Sequence, residues 1–112
     1  MSNFFYDKDI ETEVIEEGKN YRKVKAHGGN IMFVEVIFEN GGEGAPHTHI
    51  HEQASYCTEG EFEYTVGDET KIIGAGDTVY IPSNVLHGCK LLGKRGVLID
   101  IFSPLREDFL RK

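Results

Sequence analysis

Hydrophobic and polar positions alternate with a period of two in several short runs, and glycine closes most of them. In Ile31–Glu39, Glu35 and Glu39 share one face and Met32, Val34, Val36 and Phe38 the other, which predicts a strand whose second face enters the core. Residues 61–66 repeat the pattern, with Glu61, Glu63 and Thr65 outward and Phe62, Tyr64 and Val66 inward, and Val66-Gly67-Asp68-Glu69 follows as a hairpin turn. Further strands are expected over residues 21–26, 70–73, 78–82, 88–92 and 96–102, and the histidine-bearing segment beginning at Gly41 completes a set of about eight. There is no long helical period; residues 105–110 are expected to make one helical turn against the outside. Many short strands in 112 residues favour a closed barrel or jelly roll, which leaves few exposed edges.

Composition narrows this little but excludes some partners. The length suits one domain over residues 1–112, so any function has to share its single core. No apolar run approaches the roughly 20 residues of a membrane helix, and the start lacks a basic stretch before an apolar one, so a cytoplasmic, membrane-free protein is expected. The net charge of −7 repels phosphate backbones and argues against nucleic acid as a partner. Cys57 and Cys89 are too few and too scattered for a disulfide framework and are expected to be reduced thiols.

The chemistry is concentrated in two places that hold four of the five histidines. In Gly41-Gly42-Glu43-Gly44-Ala45-Pro46-His47-Thr48-His49-Ile50-His51-Glu52-Gln53, an extended chain points His47 and His49 the same way, toward one ion from a single strand. Gln53 has the same parity and can return to that ion after a corner. His87 is expected to arrive from a strand facing this one across the barrel. Three imidazole nitrogens and one amide oxygen would then leave positions open for water or substrate. Such histidines can also be metal-free, satisfying backbone carbonyls. His51 and Glu52 are expected at the corner as exposed or supporting residues, and His27, beside Gly28-Gly29, as a turn residue.

At this spacing the sequence resembles the cupin superfamily. Its first motif is met by Gly41, His47, His49, Gln53 in place of the usual glutamate, and Gly60; its second by Gly76, Pro82 and His87, with Asn84 in place of a glycine. Asparagine tolerates the positive φ that such a glycine supplies. The resemblance covers about residues 30–102 and implies an all-β double-stranded β-helix and a homodimer. The His47, His49, Gln53 set and the ending 97–110 are similar to the small pectin-degradation cupins that linearise unsaturated uronates. That likeness implies metal ligands at His47, His49, Gln53 and His87 and functional residues at Asp100, Phe102 and Arg106. One residue fewer separates His49 from Gln53 here than in those proteins.

The residues themselves point the same way. Asp100 interrupts an apolar strand, where a carboxylate is costly unless it is paired, near a metal or facing a wet cavity; an ion pair with Arg106 is the alternative. Phe102 shares its face and forms either a pocket wall or plain core, Tyr64 shapes the same pocket, and Arg106 either clamps a substrate carboxylate or is solvated. Gln53 in place of a glutamate removes one negative charge from the ligand set, which suits an anionic sugar acid and an orienting role for one divalent transition metal, nickel, zinc, iron or manganese. The resemblance implies a function, the opening of 4,5-unsaturated uronate monosaccharides to linear 4-deoxy-5-keto uronates. The alternatives are a metal-dependent cupin dioxygenase and a non-catalytic sugar-binding module.

Overall fold

The computed structural model describes residues 2–110. In chain order the strands are β1 (Glu13–Glu16), β2 (Asn20–Gly28), β3 (Ile31–Glu39), β4 (Glu43–His47), β5 (Glu52–Glu59), β6 (Phe62–Val66), β7 (Glu69–Ile73), β8 (Thr78–Ile81), β9 (His87–Leu91) and β10 (Arg95–Ser103). They form a six-stranded sheet in the order β1-β2-β3-β10-β5-β8 and a four-stranded sheet in the order β4-β9-β6-β7. Every pairing is antiparallel. Among the described residues no helix is long and apolar enough to cross a membrane.

The period of two read from the sequence holds in three dimensions. Met32, Val34, Val36 and Phe38 of β3, Phe62 and Tyr64 of β6 and Leu98 and Phe102 of β10 turn into one core between the sheets, joined by Cys57, Ile81 and Leu91. Each large side chain of this set withdraws about 1.5–3 kcal/mol worth of apolar surface from water. Phe38 from one sheet meets Phe62 from the other edge-on, with ring centroids 5.0 Å apart, and pins the two layers together. Gly60, at φ 84°, makes the β5–β6 turn, and a Cβ there would lie 2.6 Å from the Arg95 carbonyl oxygen. Cys57 and Cys89 are both free thiols, as expected.

Three expectations are corrected, and one strand, β1, is additional to those expected. β1 has no alternating apolar face to announce it: Glu13, Val14, Ile15 and Glu16 are partly or fully exposed, and the strand exists because it pairs with β2. The histidine segment is two strands rather than one; β4 ends at His47 and β5 starts at Glu52, in opposite sheets, so His49 lies on the connection between them. His27 is not in the turn but near the end of β2, paired with Met32 and with its ring 5.4 Å from Phe5. The C-terminal segment does form a short 3-10 turn, Glu107–Phe109, but against the mouth of the barrel rather than its outside. There Phe109 meets Phe102 at 5.7 Å, because the apolar ring buries more surface on the open core than on the outer face.

Phe62 is fully buried and takes part in the pinning contact. Phe62→Ala is therefore expected to lower unfolding free energy by about 3–5 kcal/mol, read from urea denaturation.

Candidate metal centre

The four residues proposed as ligands reach the same point from both sheets. His47 ends β4 and His87 begins β9, and the two are direct partners in the β4–β9 ladder. His87 is thus the neighbour of His47 in one sheet, not a residue facing it across the barrel; the residue that comes from across is Gln53 on β5. The ladder admits this pairing because Gly88 has no side chain: a Cβ there would lie 2.9 Å from the Gly44 carbonyl oxygen and 3.1 Å from Pro46. His49 is set by the β8–β9 loop, where Asn84, at φ 63°, donates its N–H to the His49 carbonyl at 2.8 Å. Ser83 holds the adjoining Ile50 carbonyl at 2.6 Å.

Each imidazole is oriented by the same device. Nδ1 of His47 meets the Ala45 carbonyl at 2.8 Å, that of His49 the His51 carbonyl at 2.9 Å and that of His87 the Val85 carbonyl at 2.9 Å. A carbonyl only accepts, so Nδ1 carries the proton in all three rings and Nε2 keeps its lone pair. One ring nitrogen from each of the three histidines lies within 4.8 Å of the other two, close enough to hold one ion. The His87 Nε2 is buried without a hydrogen-bond partner among the described residues, and the His49 Nε2 faces the Gln53 Oε1 at 3.0 Å, acceptor against acceptor. Burial lowers the pKa of His49 and His87, which keeps both rings neutral. Two lone pairs about 3 Å apart are what a cation with bonds of roughly 2.0–2.1 Å asks of neighbouring ligands. The donor set therefore fits a divalent transition metal.

Gln53 owes its orientation to Ser55, a residue sequence reasoning passed over. The Ser55 hydroxyl donates to Asp100 Oδ1 at 2.6 Å and accepts from Gln53 Nε2 at 3.1 Å and from the Tyr64 hydroxyl at 2.9 Å. One proton given and two lone pairs filled leave that hydroxyl saturated, so the amide nitrogen points to Ser55 and the amide oxygen to the histidines. The signal was present: Gln53, Ser55 and Cys57 occupy the buried parity of β5, and a serine there has to find partners.

Asp100 is partly exposed and opens onto a cavity of about 470 Å³ that also takes in His47, His87, Gln53, Tyr64 and Phe102. Burial pushes its carboxyl up to about 6, against the opposing pull of the hydrogen bonds from Ser55 and Gln53. Arg106 is not its ion-pair partner. That guanidinium forks onto Asp108, Nε at 3.1 Å and Nη2 at 2.9 Å, and lies over the Phe109 ring at 4.2 Å. Phe102 stands edge-on to His49 at 5.7 Å and is both core residue and cavity wall. His51 donates from Nε2 to the Leu105 carbonyl at 3.0 Å while its own carbonyl holds His49, so it supports the centre without joining it. Glu52 turns outward to accept from the Tyr80 hydroxyl. Asn20 and Arg22 of β2 line the cavity as well, with no sequence motif to mark them.

Two antiparallel sheets closed around a polar mouth of this kind define a small β-barrel with a three-histidine centre. The chain belongs to the cupin family: the Cupin domain model matches residues 34–102. It is 38% identical over 111 residues to the pectin degradation protein KdgF of Dickeya dadantii (strain 3937), covering 98% of this chain and 100% of that protein. Among solved structures it is similar to an RmlC-like cupin from Shewanella frigidimarina NCIMB 400, with 38% identity, a TM-score of 0.90 and coverage of 97% of this chain and 96% of that one. It is likewise similar to KdgF from Halomonas sp., with 34% identity, a TM-score of 0.88 and coverage of 95% and 98%.

Because burial lowers the pKa of His49 and His87 from the usual histidine value of about 6.5, zinc or nickel affinity is expected to fall less steeply between pH 7 and 6 than for three ordinary imidazoles, and more steeply at lower pH. Calorimetric titration across pH 5–8 checks this. Gly88→Ala is expected to weaken the same affinity by about 10–100-fold, the usual scale for disturbing a ligand's support, with little change in far-ultraviolet circular dichroism.

Proposed function

We propose that this chain opens 4,5-unsaturated uronate monosaccharides to linear 4-deoxy-5-keto uronates in the breakdown of pectin and related polyuronides. One observation carries the reading: the Asp100 carboxylate, held by Ser55, opens onto the same cavity as the histidine and glutamine centre. The similarity over nearly the whole chain to a protein named for pectin degradation supports the substrate class.

The reaction is an internal proton transfer with ring opening. Asp100 takes the proton of the anomeric hydroxyl, and the electron pair left on that oxygen becomes the C1 carbonyl as the bond from C1 to the ring oxygen breaks. The ring oxygen becomes the C5 carbonyl, and the former C4–C5 double-bond pair takes the proton at C4. Atoms and electrons balance with no oxidant, which separates this reaction from oxygenase chemistry. Ser55 fixes the Asp100 carboxylate by donating to its Oδ1, with Tyr64 behind it in the same chain of hydrogen bonds. Phe102 walls the sugar, and Arg106, 5.3 Å from that ring, adds positive charge near an anionic substrate. A divalent ion on His47, His49, His87 and Gln53 supplies Lewis-acid polarisation of a substrate oxygen when bound.

The reading is tested by giving the metal-loaded protein unsaturated galacturonate and following loss of the ultraviolet absorbance of the conjugated double bond. Asp100→Asn is expected to slow that loss by about 10²–10⁴-fold with metal content unchanged and no oxygen consumed. Wild-type loss no faster than the spontaneous rate would reject the proposal.

A further inference from the structure

The cavity carries unsatisfied polar groups away from the histidine centre. Arg22 Nε is buried without a hydrogen-bond partner among the described residues, and so is Oδ1 of Asn20, a residue only 4% exposed. Both residues sit on β2, two apart, and both line the cavity. Their other arms are already occupied: Arg22 Nη2 binds Glu13 at 2.7 Å, and Asn20 Nδ2 donates to the Glu43 carbonyl at 2.8 Å. What each leaves unpaired is complementary, a charged N–H donor on one residue and an amide acceptor two residues away on the same strand. Leaving such groups unpaired in a buried position is costly, so a ligand that meets them recovers that cost on binding.

The geometry points to Arg22 and Asn20 as the subsite for the substrate's carboxylate end: Arg22 binds a carboxylate oxygen, and Asn20 Oδ1 accepts from a neighbouring sugar hydroxyl. The assignment rests on the sugar-acid reading above and adds to it. Arg106, the arginine the sequence singles out, has Nε and Nη2 committed to Asp108, whereas Arg22 keeps Nε open. The two cations share one platform, the Phe109 ring, with Arg22 Cζ at 3.9 Å and Arg106 Cζ at 4.2 Å from its centroid. Phe109 in turn meets Phe102 edge-on, and Phe102 meets His49 edge-on, so the subsite lies two aromatic rings from the centre. Glu16 and Glu43 also line the cavity, and Glu43 is 3.9 Å from Lys90. With carboxylates this near, an anionic ligand needs a directed donor as well as nearby positive charge.

The test is equilibrium binding of D-galacturonate and of neutral D-galactose, neither of which can be turned over, to wild type and variants with and without bound metal. Wild type is expected to prefer galacturonate, and Arg22→Gln to weaken galacturonate by about 10–100-fold while leaving galactose unchanged. Arg95→Gln removes a positive charge from a surface pair with Glu59 and is expected to change neither. Should Arg22→Gln fail to fold, the Arg22 Nε–H nuclear magnetic resonance signal of the wild type, assigned by its loss in Arg22→Lys, is expected to shift with galacturonate and not with galactose. Unchanged galacturonate affinity in folded Arg22→Gln, or a still Nε–H signal at saturating galacturonate, would overturn the subsite. The two readings fail separately: turnover of unsaturated galacturonate with an unaltered KM in Arg22→Gln rejects only the subsite, and Arg22-dependent galacturonate binding without turnover rejects only the ring-opening proposal.

Discussion

Three imidazoles each give their Nδ1 proton to a backbone carbonyl two residues away, and the arrangement of the barrel's mouth follows from that repeated contact. A ring tied at Nδ1 has one free lone pair in a fixed direction, and here all three directions converge. The cost is visible where the convergence is tightest, in a buried His87 Nε2 with no partner and in two acceptors facing each other at His49 and Gln53. Secondary structure serves this geometry. His47 and His87 are ladder partners because Gly88 lets β4 and β9 close up, and His49 is held outside any strand by the N–H of Asn84.

Ser55 connects this centre to the Asp100 carboxylate. A single hydroxyl, saturated by one donation and two acceptances, fixes both the Gln53 amide and the Asp100 carboxylate. The barrel interior is thus divided: an apolar layer pinned by Phe38 and Phe62, and a polar layer in which the Gln53 amide and the Asp100 carboxylate share one anchor. Electrostatics adds a second division. The chain as a whole carries −7, which opposes an anionic ligand at long range, while the cavity presents Arg22 and Arg106 around the Phe109 ring. At contact range a directed guanidinium outweighs the screened field of distant carboxylates.

Much of the barrel was legible in advance because alternation reports which face of a strand is buried. Strands β2, β3 and β6 to β10 lie within about two residues of their expected positions, and the inward sets of β3 and β6 are those read from parity. What failed to show was β1, whose residues are mostly exposed and whose partner alone makes it a strand. The break between His47 and Glu52 was equally hidden, since parity continues through the corner while the chain changes sheets. In the site, the histidines, Gln53 and Asp100 stood out as polar residues in unusual company, whereas Ser55, Asn20 and Arg22 looked like ordinary strand residues.

The sequence by itself determined which residue types line each strand face, where the turns fall, and that His47, His49, Gln53 and His87 have the spacing of a cupin centre. Those are local properties, set by a period of two and by glycine or asparagine at positive φ. The tertiary structure alone decided that His87 stands beside His47 rather than opposite it, that Asp100 answers to Ser55 and not to Arg106, and that the C-terminal turn covers the mouth. Each of these depends on which distant segments pack together, and pairing between residues far apart in the chain leaves no periodic trace in the order of amino acids.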